Sequence, residues 1–130
     1  MKTTLGSLLT LTLIMLATVM SNAQSNKETK SLRHVVLFKF KDSASAADVK
    51  KVEDAFAALP GKLPQIKAYE WGKNNSPENL NQGLTHCFIL TFNSEKDRDE
   101  YLVHPDHKAF GKILGPHLDK VTVVDFWTEN

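Results

Sequence analysis

Between residues 33 and 127 the apolar positions fall into blocks whose spacing switches between two and three-to-four. Residues 33–40 (RHVVLFKF) alternate as a strand, with His34, Val36, Phe38 and Phe40 on one side and Val35, Leu37 and Lys39 on the other. Both sides are largely apolar, which predicts a strand covered on two faces. Ser45 then stands where a helix cap belongs, with Asp48 three residues on. Val49, Val52, Phe56 and Leu59 recur at helical spacing until Pro60-Gly61 stops them. A second strand is predicted over residues 66–72 (IKAYEWG), followed by a polar loop over 73–83 rich in Asn, Pro and Gly. Residues 84–92 (LTHCFILTF) read as a third strand, again apolar on both faces. Ser94 caps a second helix that carries Tyr101 and Leu102, and Pro105 interrupts that helix or begins a new one. Phe110, Ile113 and Leu114 continue the stripe to Gly115-Pro116, and residues 121–127 (VTVVDFW) form the last strand.

Four strands and two helices in βαββαβ order predict a two-layer α+β sandwich, with the helices on one face of the sheet. The other face, holding Val35, Leu37, Cys87, Ile89, Val124 and Phe126, has no local chain to cover it. A second copy is the economical cover, so a homodimer is expected. The composition changes this picture only at its edges. A formal charge of +1 excludes a globally basic nucleic-acid binder, so no nucleic-acid partner is expected. Cys87 is the single cysteine, which excludes an internal disulfide framework and a CxxC site. Residues 1–23 stand apart from the fold. Lys2 precedes a mostly apolar, uncharged run over residues 5–20, and Ser21-Asn22-Ala23 puts small residues at the −3 and −1 positions of a cleavage site. That layout predicts a secretory signal peptide, export to the periplasm or medium, and a mature chain beginning at Gln24. The run falls short of the ~20 apolar residues that span a bilayer, so no membrane anchor is expected after cleavage. Residues 24–31 form a polar leader, and residues 32–130 form the domain.

The chemistry the sequence offers sits on histidine. His34 begins an apolar row with Val36 and Phe38, and His86 begins another with Phe88, Leu90 and Phe92. Tyr101, His104 and His107 lie in the run YLVHPDH around the helix break. Neutral imidazole accepts a proton near neutral pH and a neighbouring phenol holds or donates one, which suits proton transfer at a carbon next to a carbonyl. Each residue also has a structural reading: a hydrogen-bonded strand histidine, a core tyrosine, or His104-Pro105 as a helix cap. A metal reading of His104, Asp106 and His107, with His34 or His86, rests on the weak HxxH spacing, and no metal or other cofactor is expected. No phosphate loop, nucleotide motif or serine elbow is present.

RHVVLFKFK, EWGKN, THCFILTF, YLVHPDHKAF and VVDF together resemble the stress-responsive α/β-barrel (Dabb) domain family over residues 32–127. The resemblance implies a ferredoxin-like subunit and a homodimer whose two sheets close into a barrel. A plant branch of the family includes a cofactor-free polyketide cyclase that works by aldol condensation. By that resemblance Tyr101 and His107 are the catalytic pair, and His34 and His86 are the strand histidines. The implied pocket is lined by Val36, Phe38, Phe56, Tyr69, Phe88, Leu90, Leu102 and Phe110, with His104 beside them. Glu53 and Lys108 stand where the plant branch has apolar residues. Three functions follow as expectations. The first is binding of a small apolar or aromatic ligand. The second is a cofactor-free lyase, isomerase or cyclase using His107 and Tyr101. The third, by fold analogy alone, is a barrel similar to the haem-degrading or quinol-forming monooxygenases.

Overall fold

The structure, a computed structural model, describes Met1 and residues 29–129. The expected signal segment, Met1 apart, its cleavage point and most of the polar leader lie outside the described residues. From Leu32 the chain runs β1 (Leu32–Phe40), α1 (Ala46–Ala57), β2 (Ala68–Lys73), β3 (His86–Phe92), α2 (Glu95–Val103), α3 (Pro105–Leu114) and β4 (Leu118–Trp127). Short 3-10 turns follow α1 at Leu59–Gly61 and α3 at Gly115–His117. The strands form one antiparallel sheet in the order β2-β3-β1-β4, the α+β ferredoxin-like arrangement. Among the described residues no helix is long and apolar enough to cross a membrane.

Local chemistry sets the helix limits. Ser45 Oγ accepts from the Asp48 amide while the Asp48 carboxylate accepts from the Ser45 amide, a complete capping box for α1. Ser94 Oγ accepts from the Asp97 amide and opens α2. The expected second helix is in fact two, α2 and α3, divided at His104. Pro105 has no amide hydrogen to extend α2, yet its fixed φ suits the first position of α3. His104 Nδ1 accepts the Asp106 amide at 3.1 Å and caps the new helix.

The core forms where one stripe from each helix meets the inward row of the sheet. Val52 and Phe56 of α1, Tyr101 of α2, and Phe110 and Leu114 of α3 are buried against Val36, Phe38, Phe88, Leu90 and Phe92. Phe56 stacks on Phe88 at 4.4 Å between ring centroids. On the opposite face Val35 pairs with both Ile89 and Val124, so these three side chains share one outward row. Val124 and Phe126 are 52% and 48% exposed there. The β1–β4 register shifts only between Lys39 and Phe40, at the far end of β1, so the alternation of faces holds across the sheet. Past that shift Leu118 still pairs with Phe40, which is why β4 begins three residues before the apolar run that marks it in the sequence.

Candidate functional site

An open cavity of about 360 Å3 lies between the sheet and the helices. Val36 and Phe38 of β1 and Val121 and Val123 of β4 form its floor, and Phe56, Leu102, Phe110 and Leu114 form its apolar walls. Val121 and Val123 face the helical layer but remain 46% and 50% exposed. They belong to the edge strand, beyond the reach of the helices, and the cavity opens there.

The polar end of the cavity is built by β1, β4, α2 and α3. His34 and Asp125 are direct partners across β1 and β4. Since a carboxylate only accepts, His34 donates Nδ1–H to Asp125 Oδ1 at 2.7 Å. Asp125 Oδ2 accepts from the Arg98 guanidinium at 3.0 Å, and Arg98 Nε donates to Asp99 at 3.0 Å. His107 donates Nδ1–H to the Leu102 carbonyl at 3.0 Å, so in its neutral form Nε2 is the acceptor. Tyr101 sits between the two imidazoles, with ring centroids 5.8 Å from His34 and 4.4 Å from His107. Burial pushes His107 below the usual histidine value; the Leu102 bond opposes this and nearby His34 adds to it. Burial, and then Tyr69, push the Tyr101 phenol well above its ordinary value. A neutral base and a protonated phenol thus share one end of an apolar cavity.

His34, Val36, Phe38, Phe56, Tyr101, Leu102, His107 and Phe110, all expected at the site, come together there. Five other expected members do not reach the cavity. Phe88 and Leu90 point inward, but they lie on β3 beneath the helices and are fully buried. Tyr69 packs behind Phe56 at 5.6 Å, with its hydroxyl buried and without a partner among the described residues. His104 is occupied in capping α3. His86 lies at the other end of the sheet, donating Nε2–H to Glu53 at 2.9 Å and bonded through Nδ1 to Thr85 at 2.8 Å. It borders a separate cleft of about 300 Å3 by Trp71 and the β2–β3 connection. Glu53 also meets Lys73 at 3.2 Å. Burial alone would raise the Glu53 carboxyl, but the bonds from His86 and Lys73 outweigh it and hold it below the ordinary value. Asp125 and Arg98 escaped the sequence reading. Asp125 carried a signal, an acid in the inward row of an apolar strand; Arg98, in the polar run EKDRDE, carried none.

A family model described as the stress responsive A/B barrel domain matches residues 32–128. The chain is 41% identical over 95 residues to the stress-response A/B barrel domain-containing protein HS1 of Arabidopsis thaliana, covering 73% of this chain and 87% of that protein. It is 28% identical over 96 residues to olivetolic acid cyclase of Cannabis sativa, covering 74% and 95%. A dimeric ferredoxin-like protein of Thermobifida fusca superposes with a TM-score of 0.67 at 27% identity, covering 78% of this chain and 93% of that one. The matched span contains every strand and helix that builds the cavity, and the chain belongs to the stress-responsive A/B barrel domain family.

Proposed function

We propose that this protein is an exported homodimer that binds a small, largely apolar ligand in the cavity between sheet and helices. The observation that carries this reading is the cavity itself: about 360 Å3 of mostly apolar wall, open to solvent along β4, with hydrogen-bonding groups gathered at one end. Export is supported by the apolar run and the small residues before Gln24. The dimer is supported by the uncovered outer face and by dimeric structural neighbours. Thermal unfolding with a panel of small aromatic compounds tests the binding. A compound that fits should raise the Tm, and Val123→Trp, which fills the open floor, should abolish the rise. Failure of the whole panel to shift the Tm would overturn the reading.

A second reading is cofactor-free proton transfer beside a carbonyl, of the lyase, isomerase or cyclase type. His107 is the base and Tyr101 the donor that holds the carbonyl oxygen. It is favoured by the tautomer of His107, which turns an unprotonated Nε2 away from the Leu102 bond. The relative named olivetolic acid cyclase supports it at the level of reaction type. Turnover that His107→Ala abolishes while ligand binding persists would establish it; equal turnover in the variant would remove it.

A further inference from the structure

The cleft at the β2–β3 connection lies apart from the cavity of His34 and His107, and a second set of reactive groups meets there. His86 Nε2 lies 2.9 Å from Glu53 Oε1, and His86 Nδ1 lies 2.8 Å from Thr85 Oγ. The Glu53 carboxyl, held below its ordinary value, only accepts, so Nε2 carries the hydrogen of that bond. In the neutral ring Nδ1 is then the acceptor for the Thr85 hydroxyl. Hydroxyl, imidazole and carboxylate in that order form the nucleophile, base and orienting acid of acyl-transfer chemistry. The two inner members are shielded, with the His86 and Glu53 side chains 6% and 13% exposed. Thr85, at the outer end, is exposed and lines the cleft. We propose that Thr85, His86 and Glu53 form a second site, which cleaves small esters by passing their acyl group first to Thr85 Oγ and then to water. This site stands independently of the ligand-binding reading of the larger cavity.

The same cleft holds a donor for an oxyanion and room for an acyl chain. The Asn74 amide donates to the Thr85 carbonyl at 2.8 Å, continuing the register in which Lys73 faces His86. Asn74 and Thr85 are therefore cross-strand neighbours on one face, with side chains rooted about 5 Å apart. Asn74 Oδ1 accepts from the Ser76 amide at 3.2 Å, which fixes the side-chain amide and leaves Nδ2 as a donor on the cleft wall. Leu37, Cys87 and Ile89 make an apolar floor, and Gly72 beside them adds no side chain. That floor belongs to the face that a second copy covers in the proposed dimer. Thr85 and Asn74 lie past the ends of β3 and β2, at its margin. In the first step Thr85 Oγ attacks the ester carbonyl carbon while its proton passes to His86 Nδ1, and Asn74 Nδ2 donates to the oxyanion. The C–O bond to the alcohol breaks, and the departing alcohol takes the proton from Nδ1. Water then attacks the acyl-threonine, its proton passes through Nδ1 to Thr85 Oγ, and the carboxylic acid leaves.

The test follows hydrolysis of p-nitrophenyl butyrate. The wild type should release p-nitrophenol faster than buffer, and peptide mass analysis of acid-quenched turnover should place a butyryl group on Thr85. Thr85→Ala, at an exposed side chain, should keep its Tm and lose the acceleration, while Thr85→Ser should retain it. Asn74→Ala should lower kcat by about 10²-fold or more, the ordinary effect of losing one oxyanion donor. Glu53 touches no substrate and is a positioning residue. Glu53→Gln should move the acid limb of kcat/KM to lower pH, because the imidazolium loses its carboxylate; lost packing alone would not produce that shift. Hydrolysis by the wild type no faster than buffer, or equally fast in Thr85→Ala, would overturn the proposal. So would a butyryl group found only on residues other than Thr85.

Discussion

The two imidazoles at the polar end differ in what holds them. His34 is fixed by a carboxylate that is itself fixed by Arg98, whereas His107 is fixed by a single backbone carbonyl. His107 therefore reports directly on its burial. Its pKa lies below the ordinary value, so the folded state favours the neutral ring. The stability that this contributes is present above the ordinary histidine value of about 6.5 and is lost as pH falls through the lower folded value. Ligand affinity at this end should fall over the same interval, and His107→Ala should remove that acid limb; an NMR titration of the ring reads the folded pKa. Tyr101→Phe removes one hydroxyl and keeps the buried ring. It should leave the Tm nearly unchanged and weaken a carbonyl compound from the aromatic panel by about 0.5–1.5 kcal/mol, the ordinary worth of one hydrogen bond.

Among the elements, α1 depends on its first turn and on one aromatic ring. Ser45→Ala breaks the capping box and should cost about 1 kcal/mol in denaturant unfolding. Phe56→Ala removes a ring that stacks on Phe88 and also walls the cavity, and should cost about 3–5 kcal/mol. Strand alternation made all four strands and the two faces of the sheet legible, because burial on a pleated surface repeats every two residues. It could not say which inward row lies under the helices. Phe88 and Leu90 share the inward face with Val36 and Phe38, but the order β2-β3-β1-β4 buries β3 and leaves β4 at the open edge. The floor residues Val121 and Val123 were thus hidden behind a fact of lateral order that no local pattern carries. The break at His104 was visible through Pro105, whereas the polar composition of α2 concealed that Arg98 reaches the site.

For the whole molecule the controlling feature is the outward row of Val35, Ile89 and Val124, with Leu37, Cys87 and Phe126 around it. A contiguous apolar sheet face of this kind is covered in a stable soluble protein. Light scattering should give twice the monomer mass at micromolar concentration. Ile89→Lys places an unpaired charge at the centre of that face and should shift the protein toward monomer while α1 and the cavity remain intact. A monomeric wild type under those conditions would refute the dimer.

The pairing of β1 with β4 bears on how the chain comes to be folded at all. His34 and Asp125 are 91 residues apart in sequence yet touch, and β1, the second strand of the sheet from its β4 edge, has no neighbour on that side until β4 docks. During synthesis from the N-terminus the strand that completes the sheet is therefore the last of the four to emerge. Closing so long a loop makes the topology slow relative to a helical bundle of the same size. A nascent chain stopped after His117 would lack one side of β1, half the cavity floor and the carboxylate that orients His34. Such a fragment should show no cooperative unfolding transition. Until the ten residues of β4 are available, the free edge of β1 and the unfinished cavity floor stay open to non-native pairing and aggregation.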